Sequence, residues 1–359
     1  MKQKSVIANI LVTAVGGIIG EGIVKSLRFA NMDEDSPVKY RIIGVDMNDK
    51  AAGLYRCDSG ILVPSASSID YVESIMRIVD DNDIRAIYVG SDMELAKLAR
   101  ARPDIESNFN VVVVSNPLEV IDTARDKWKT FQFLDKNNLP RAMSCLPEDK
   151  EKLVKKFGFP LVVKPREGYG SLHFYIVHSS DEMRYALDSI QKHGWRPIIQ
   201  EYLDDTNQEF TSGVTIDKNG SYVMSSISLQ KFPKSGQTYK ALVDSFDLIR
   251  KSAEVVALRL GARNAINIQA KFDGNEAKVF EINPRFSATV PIRAIAGINE
   301  PDIIYRNSVL GEEIHIKKYK KMLCLRYWNE IYVEPSAHQQ ISTLRHIDQG
   351  NHSFSVDYF

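Results

Sequence analysis

Apolar and polar positions along the chain follow two patterns that change near residue 116. In the first, short apolar runs alternate with stretches of helical period. Ile7 to Ala14 reads as a buried strand, the segment through about Ala30 as an amphipathic helix, and Tyr40 to Val45 as a second strand ending at Asp46. Gly60 to Val63, a helix over Tyr71 to Val79, Ala86 to Gly90, a helix from near Glu94, and Val111 to Val114 continue the alternation. Strand and helix in strict succession predict a doubly wound parallel sheet, here an α/β unit over residues 1–116.

Asn116-Pro117 marks the change. Helices are expected near Leu118 to Arg125 and from Asp126 to Leu134, with Trp128, Phe131 and Leu134 spaced for one buried face. Phe159 to Pro165 is a short strand, Asp181 to about Ile190 a helix, and Pro197 to Leu203 another strand. Phe210 to Ile216 and Ser221 to Leu229 flank the turn Asp217-Lys218-Asn219-Gly220 and predict a hairpin. Lys231 to Leu242 is polar and reads as a loop; Phe246 to Leu260 is a helix stopped by Gly261. Met322 to Trp328 is strand-like, after which periodicity is lost.

The chemistry concentrates in a second hairpin. Asn267 to Phe272 and Val279 to Arg285 flank Asp273-Gly274-Asn275. Alternation along a strand puts Glu281 and Asn283 on one face, with Arg285 close by, and antiparallel pairing brings Gln269 to the same face. One carboxylate and two amides are hard oxygen donors of the kind Mg²⁺ accepts alongside phosphates. An adjacent guanidinium neutralises charge on a phosphoryl group. In isolation the same residues also suit a solvated face with Arg285 paired to Glu281.

With Gln269 one arm earlier, Glu281-Ile282-Asn283-Pro284-Arg285 closely resembles the metal-binding hairpin of the ATP-grasp superfamily. From about Ile10 to about Gly311 the chain is most similar to the carbamoyl-phosphate-synthase-large-subunit-like group. The resemblance implies a non-catalytic Rossmann-like domain over 1–116, a two-lobed α+β ATP-grasp domain over 117–314 with lobes of about 117–200 and 201–314, and an extension over 315–359. It implies that Lys127 (with Lys129 as a rival) and Lys164 reach ATP, and that Gly168, Gly170 and Ser171 form a phosphate loop. The Glu201 and Leu203 backbones would hold the adenine edge, with Tyr202 between them, and Glu209 or its neighbour Gln208 the ribose. Gln269, Glu281 and Asn283 would hold Mg²⁺ (or Mn²⁺), and Arg285 would be catalytic. Lys231, Lys234 and Lys240 either meet an anionic substrate or belong to a solvated loop; Ser287, Thr289 and Arg293 are candidates to hold a carboxylate. The activity implied is ATP-dependent joining of a small-molecule carboxylate to an amine through an acyl phosphate. The alternatives are a biotin-carboxylase-like activator of a one-carbon acid and a non-catalytic ATP-binding subunit.

Composition narrows the partners. Lys plus Arg and Asp plus Glu are 46 each, so no basic surplus points to nucleic acid. The first apolar run is too short to span a membrane. Three widely spaced cysteines, Cys57, Cys145 and Cys324, fit a reducing compartment, so a cytoplasmic protein is expected, with a homodimer possible. Gly16-Gly17-Ile18-Ile19-Gly20 invites a dinucleotide reading, but Val15 stands where the fingerprint needs glycine. Asp92 and Glu94 follow a strand at its C-terminal end, where they either cap the next helix or border a substrate site.

Overall fold

In the computed structural model, residues 5–168, 172–204, 208–234, 237–350 and 352–356 are described. The N-terminal strands β1 (Val6–Val12), β2 (Val38–Asp46), β3 (Ser59–Leu62), β4 (Ala86–Tyr88) and β5 (Val112–Val114) form a parallel sheet in the order β3-β2-β1-β4-β5. Alternate side chains feed two cores. Leu11, Ile43, Val45, Ile87 and Val113 pack with α2 (Tyr71–Asp81) and α3 (Asp92–Asn108). Ile10, Val12, Ile42 and Tyr88 face α1 (Ile18–Asn31) on the other side. The glycine-rich turn serves packing: a Cβ at Gly20 would lie 2.2 Å from the Ala14 carbonyl oxygen, and Val15 is wholly buried.

Helices α4 (Leu118–Arg125) and α5 (Lys127–Lys136) lead into a four-stranded antiparallel sheet. It comprises β6 (Ser144–Cys145), β7 (Leu161–Pro165), β8 (Tyr175–Val177) and β9 (Pro197–Glu201) in the order β6-β9-β7-β8. Leu161, Val163 and Ile199 pack there against α6 (Lys150–Phe157) and α7 (Ser180–Lys192) through Leu153, Met183 and Leu187.

The larger sheet contains β10 (Gln208–Ile216), β11 (Val223–Lys234), β12 (Gln237–Val243), β13 (Asn264–Phe272) and β14 (Ala277–Asn283), in the order β14-β13-β10-β11-β12. The expected loop over Lys231 to Leu242 is thus largely strand: Lys231 pairs with Ala241 and Phe232 with Lys240 across β11 and β12. Backbone hydrogen bonding overrides the polar composition there. One face of this sheet packs on α8 (Asp247–Leu260), whose C-terminus is closed by Gly261 at φ 77°. The other carries Ile227, Leu229, Ala241 and Val243 into the core around α1, together with α9 (Val290–Ala296) and α10 (Glu300–Ser308). One apolar core is therefore shared by the N-terminal sheet and the large sheet. Asn116 is buried at the junction: its amide donates to the carbonyls of Ala265 and Pro284 and accepts from Arg263 N–H.

The segment after residue 314 is more ordered than its lost periodicity suggests. β15 (Met322–Leu325) adds to β12 at the edge of the large sheet. β16 (Tyr332–Val333) pairs with β18 (Ser353–Phe354), and α11 (Pro335–Leu344) leads to β17 (His346–Asp348), which adds antiparallel to β3. Non-local backbone pairing fixes these short strands: β15 falls within the strand-like stretch that starts at Met322, while no local pattern advertises β16, β17 and β18. No helix among the described residues is long and apolar enough to cross a membrane.

Arg293 corrects an expectation. It is wholly buried, donating to Glu300 Oε1 at 2.9 Å, Asn267 Oδ1 at 2.5 Å and Thr211 Oγ1 at 3.3 Å. It is thus sealed between α9, α10 and the large sheet, with no face left for a substrate carboxylate. Gly213 makes the room: a Cβ there would sit 2.0 Å from Glu300 Oε1. Removing one partner of such a pair strands the other charge, at a cost of about 3–5 kcal/mol. Arg293→Met is expected to lower unfolding free energy by that order in urea titration, and Arg293→Met/Glu300→Gln by less than Arg293→Met alone.

Candidate active site

The hairpin β13–β14 is not a regular ladder. Gln269 pairs with Glu281 and Asn267 with Asn283, but the next pair is Ala270 with Val279, so Phe280 is an extra residue. This bulge resolves a conflict in the sequence. Strict alternation would put Val279, Glu281 and Asn283 on one face, yet Val279 belongs in the core with Ile268 and Ala270. The extra residue shifts the phase, so Lys278, Phe280, Glu281 and Asn283 are all half-exposed while Val279 and Ile282 are buried. Bulges commonly re-aim side chains beside active sites.

An open cavity lies above that face. Its walls bring together Lys127 and Gly168 from the small-lobe side, Glu281, Asn283 and Arg285 from the hairpin, and Asp92, Met93 and Arg125. The Lys127 main chain is pinned by its N–H to the Arg166 carbonyl at 2.9 Å. Asp126, the N-cap of α5, accepts from Trp128 and Lys129 N–H and pairs with Arg166. Burial opposes the ionised Asp126, but the Arg166 hydrogen bond and the two helix N–H groups outweigh it and hold the carboxyl below its ordinary range. Lys129, by contrast, is exposed.

Lys164 is buried on β7 and donates to Gln200 Oε1 at 2.8 Å, while the Gln200 amide donates to Ser144 Oγ at 2.9 Å. Its ammonium lies 5.7 Å from the Phe280 ring centre, so the small sheet and the bulge face one another. Burial, with the Lys127 charge adding to it, lowers the Lys164 pKa to about 7, against the pull of Glu281.

Other expected residues divide. Lys231 is buried and bridges Glu209 and Gln269, with 3.0 Å to Gln269 Oε1. It therefore links the expected ribose acid to the expected metal set, and its inward position on β11 was hidden by the loop expectation. At the hinge, Glu201 N–H is committed to the Met143 carbonyl and its carboxylate to Met143 N–H, so that amide is not free for an adenine edge. The Leu203 carbonyl accepts from Lys271, whose ammonium also lies 5.9 Å from the Tyr202 ring centre. Lys240 is exposed and, by its pairing with Phe232, lies on the sheet face opposite Lys231. Ser287 and Thr289 are buried and hydrogen-bonded to each other at 2.6 Å, so neither reaches the cavity. Gly170 and Ser171 lie outside the described residues.

Of the two acids after β4, Glu94 is structural: it is buried and accepts from Thr13 at 2.6 Å and Tyr71 at 2.7 Å. Asp92 instead reaches Arg285, accepting from Nε at 2.8 Å and Nη2 at 2.6 Å. Its place at the C-terminal end of a parallel strand was the available signal.

Comparisons with known proteins agree with this architecture. A family model described as "ATP-grasp in the biosynthetic pathway with Ter operon" matches residues 196–331, a RimK-like ATP-grasp model matches 124–225, and a PylC-like N-terminal model matches 11–114. The carbamoyl phosphate synthase large chain of Pseudomonas syringae pv. tomato is 25% identical over 266 residues, 70% of this chain and 24% of that protein. The chain thus spans about a quarter of the length of such relatives. Among solved structures, Campylobacter jejuni biotin carboxylase in complex with β,γ-ATP superposes with TM-score 0.69 at 19% identity, covering 91% of this chain and 76% of that one. Staphylococcus aureus N5-carboxyaminoimidazole synthetase complexed with ADP gives 0.65 at 13%, covering 95% and 86%.

The titration of Lys164 has a consequence for stability. An unfolded lysine titrates near 10.4, so between about pH 7 and that value the unfolded chain binds more protons and stability rises with pH. Lys164→Met is expected to lack this slope. Its stability relative to the wild type should be greatest below about pH 7 and fall as pH rises towards 10, and parallel urea-titration profiles would contradict the buried, titrating lysine. With two ATP-grasp models reaching together from residue 124 to 331 beneath a PylC-like N-terminal domain, the chain belongs to the ATP-grasp superfamily and is similar to the carbamoyl phosphate synthase large chain.

Proposed function

We propose that the protein is an ATP-dependent carboxylate–amine ligase working through an acyl phosphate. The observation that carries this reading is the convergence of Lys127, Gly168, Glu281, Asn283 and Arg285 on one cavity. ATP would lie between the small sheet and the large one, with Lys127 on its phosphates, Lys164 near the adenine and α-phosphate, Gly168, Gly170 and Ser171 as the phosphate loop, the 201–203 hinge at the base and Glu209 at the ribose. Because its N–H is committed elsewhere, Glu201 would contribute only through its carbonyl.

Gln269, Glu281 and Asn283 would hold Mg²⁺. Their donors are all oxygen atoms, which fits that ion. No cluster of three His, Cys, Asp or Glu among the described residues forms a self-sufficient cage, so phosphate oxygens would complete the shell. When bound, the ion would supply neutralisation of phosphate charge. The substrate carboxylate oxygen attacks the γ-phosphorus and ADP leaves; the amine nitrogen then attacks the acyl carbon and phosphate leaves. Arg285 stabilises the transferring phosphoryl group and the acyl phosphate, and the protein's contribution is chiefly positioning and charge stabilisation. Likeness to the large chain of carbamoyl phosphate synthase favours amine capture over a biotin-carboxylase-like role, for which the 19% likeness speaks to fold alone.

The test is phosphate and ADP release with Mg²⁺-ATP across a panel of amino acids, hydroxy acids and bicarbonate, each alone and then with candidate amines. Turnover that requires one acid and vanishes in Glu281→Ala is the expected result. Arg285→Ala should lose about 10²–10³-fold in turnover, by analogy with removal of an oxyanion donor. Retained turnover in Arg285→Ala would remove that residue from the mechanism, and ATP binding without turnover on any acid would favour a regulatory nucleotide-binding role.

A further inference from the structure

The cavity has a wall that the ligase reading does not use. Asp92 begins α3, at the tip of the N-terminal sheet, 193 residues before Arg285 in the chain. Its two carboxylate oxygens take the Nε and Nη2 edge of Arg285 at 2.8 and 2.6 Å. The remaining bonds run in one direction. Arg285 Nη1 donates to the Phe286 carbonyl at 2.9 Å, Arg285 Nη2 donates to Asn283 Oδ1 at 3.1 Å, and Asn283 Nδ2 donates to Glu281 Oε1 at 3.1 Å. A continuous chain of hydrogen bonds therefore leads from the N-terminal sheet to the hairpin oxygens. A bidentate carboxylate–guanidinium pair fixes both distance and plane. Both side chains are mostly shielded, at 13% and 23% exposed, which limits solvent competition.

We infer that Asp92 is a positioning residue for the metal-binding set, acting through Arg285 and Asn283. The inference rests on the proposed role of Glu281 and Asn283 as metal ligands. Asp92 touches neither substrate nor metal: it sets the guanidinium plane, the guanidinium orients the Asn283 amide, and that amide directs its N–H to one Glu281 oxygen and leaves the other for the ion. Through Asp92 the N-terminal domain thereby contributes to the geometry of the metal set. Outer-shell partners of this kind are worth about 10–100-fold in metal affinity or activity.

The test is direct titration of Mn²⁺ into the full chain in the presence of ADP, followed by electron paramagnetic resonance, so no acid or amine substrate is needed. Asp92→Asn keeps the size of the side chain and removes its charge. It should weaken Mn²⁺ binding about 10–100-fold while folding normally by circular dichroism. Tyr40→Phe is the control for mere docking of the N-terminal sheet, because Tyr40 OH donates to Asp302 at 2.6 Å and neither residue lines the cavity. It should leave Mn²⁺ affinity unchanged. Arg285→Met should also weaken binding, with Asp92→Asn adding nothing in that background. Affinity within about twofold of wild type in Asp92→Asn, equal losses in Tyr40→Phe and Asp92→Asn, or additive losses in the double variant would each overturn the inference. Failure of the wild-type chain to bind Mn²⁺ with ADP would instead overturn the ligase reading, and this inference with it.

Discussion

One extra residue in one strand sets the geometry on which the site depends. The bulge at Phe280 lets β14 satisfy two demands that a regular strand cannot meet together: Val279 must fill the core above α8, and Glu281 with Asn283 must face the cleft. Side-chain period in a strand is two, so a one-residue change of register exchanges the faces of everything beyond it. The ladder partner Gln269 comes to the same face because the pairing resumes in register at Glu281.

Around that hairpin the protein is layered rather than beaded. The N-terminal sheet, the helices α1, α9 and α10, and one face of the large sheet share a single apolar core. Polar ties sit where the layers meet. Asn116 clamps the end of the N-terminal unit to the strands that carry the hairpin, and Arg293 with Glu300 joins two helices to the strands beneath. Burial raises the Glu300 pKa, and the Arg293 charge offsets that rise only in part. The cleft is consequently held from three sides, and its walls come from segments distant in the chain.

Much of this is legible in the sequence where the signal is local. The strand–helix alternation before residue 116, the turn at Asp217–Gly220 and the alternation of Glu281 and Asn283 all rest on short-range geometry, and the structure contains each. What the sequence conceals is decided by tertiary pairing. Lys231 looks like part of a polar loop because its partners, Glu209 and Gln269, lie on other strands. Arg293 resembles an available cation until Glu300 and Asn267 enclose it, and only Gly213, on a distant strand, records the space it needs. Asp92 is ambiguous in the sequence for the same reason: its place at the end of a strand suggests a site, but its partner, Arg285, lies just past the end of a strand in another sheet.

The late segment of the chain raises a question of timing. β17 closes the edge of the N-terminal sheet beside β3, pairing His346 with Ile61. During synthesis some 285 residues separate the emergence of those two positions, at roughly 5–20 residues per second. For tens of seconds, then, a first sheet that forms on the ribosome has its β3 flank unpaired. An unpaired flank is a template for the wrong neighbour, including a second nascent copy. The brevity of β3, only four residues, limits how much of that template is on offer while the chain waits for its closing strand.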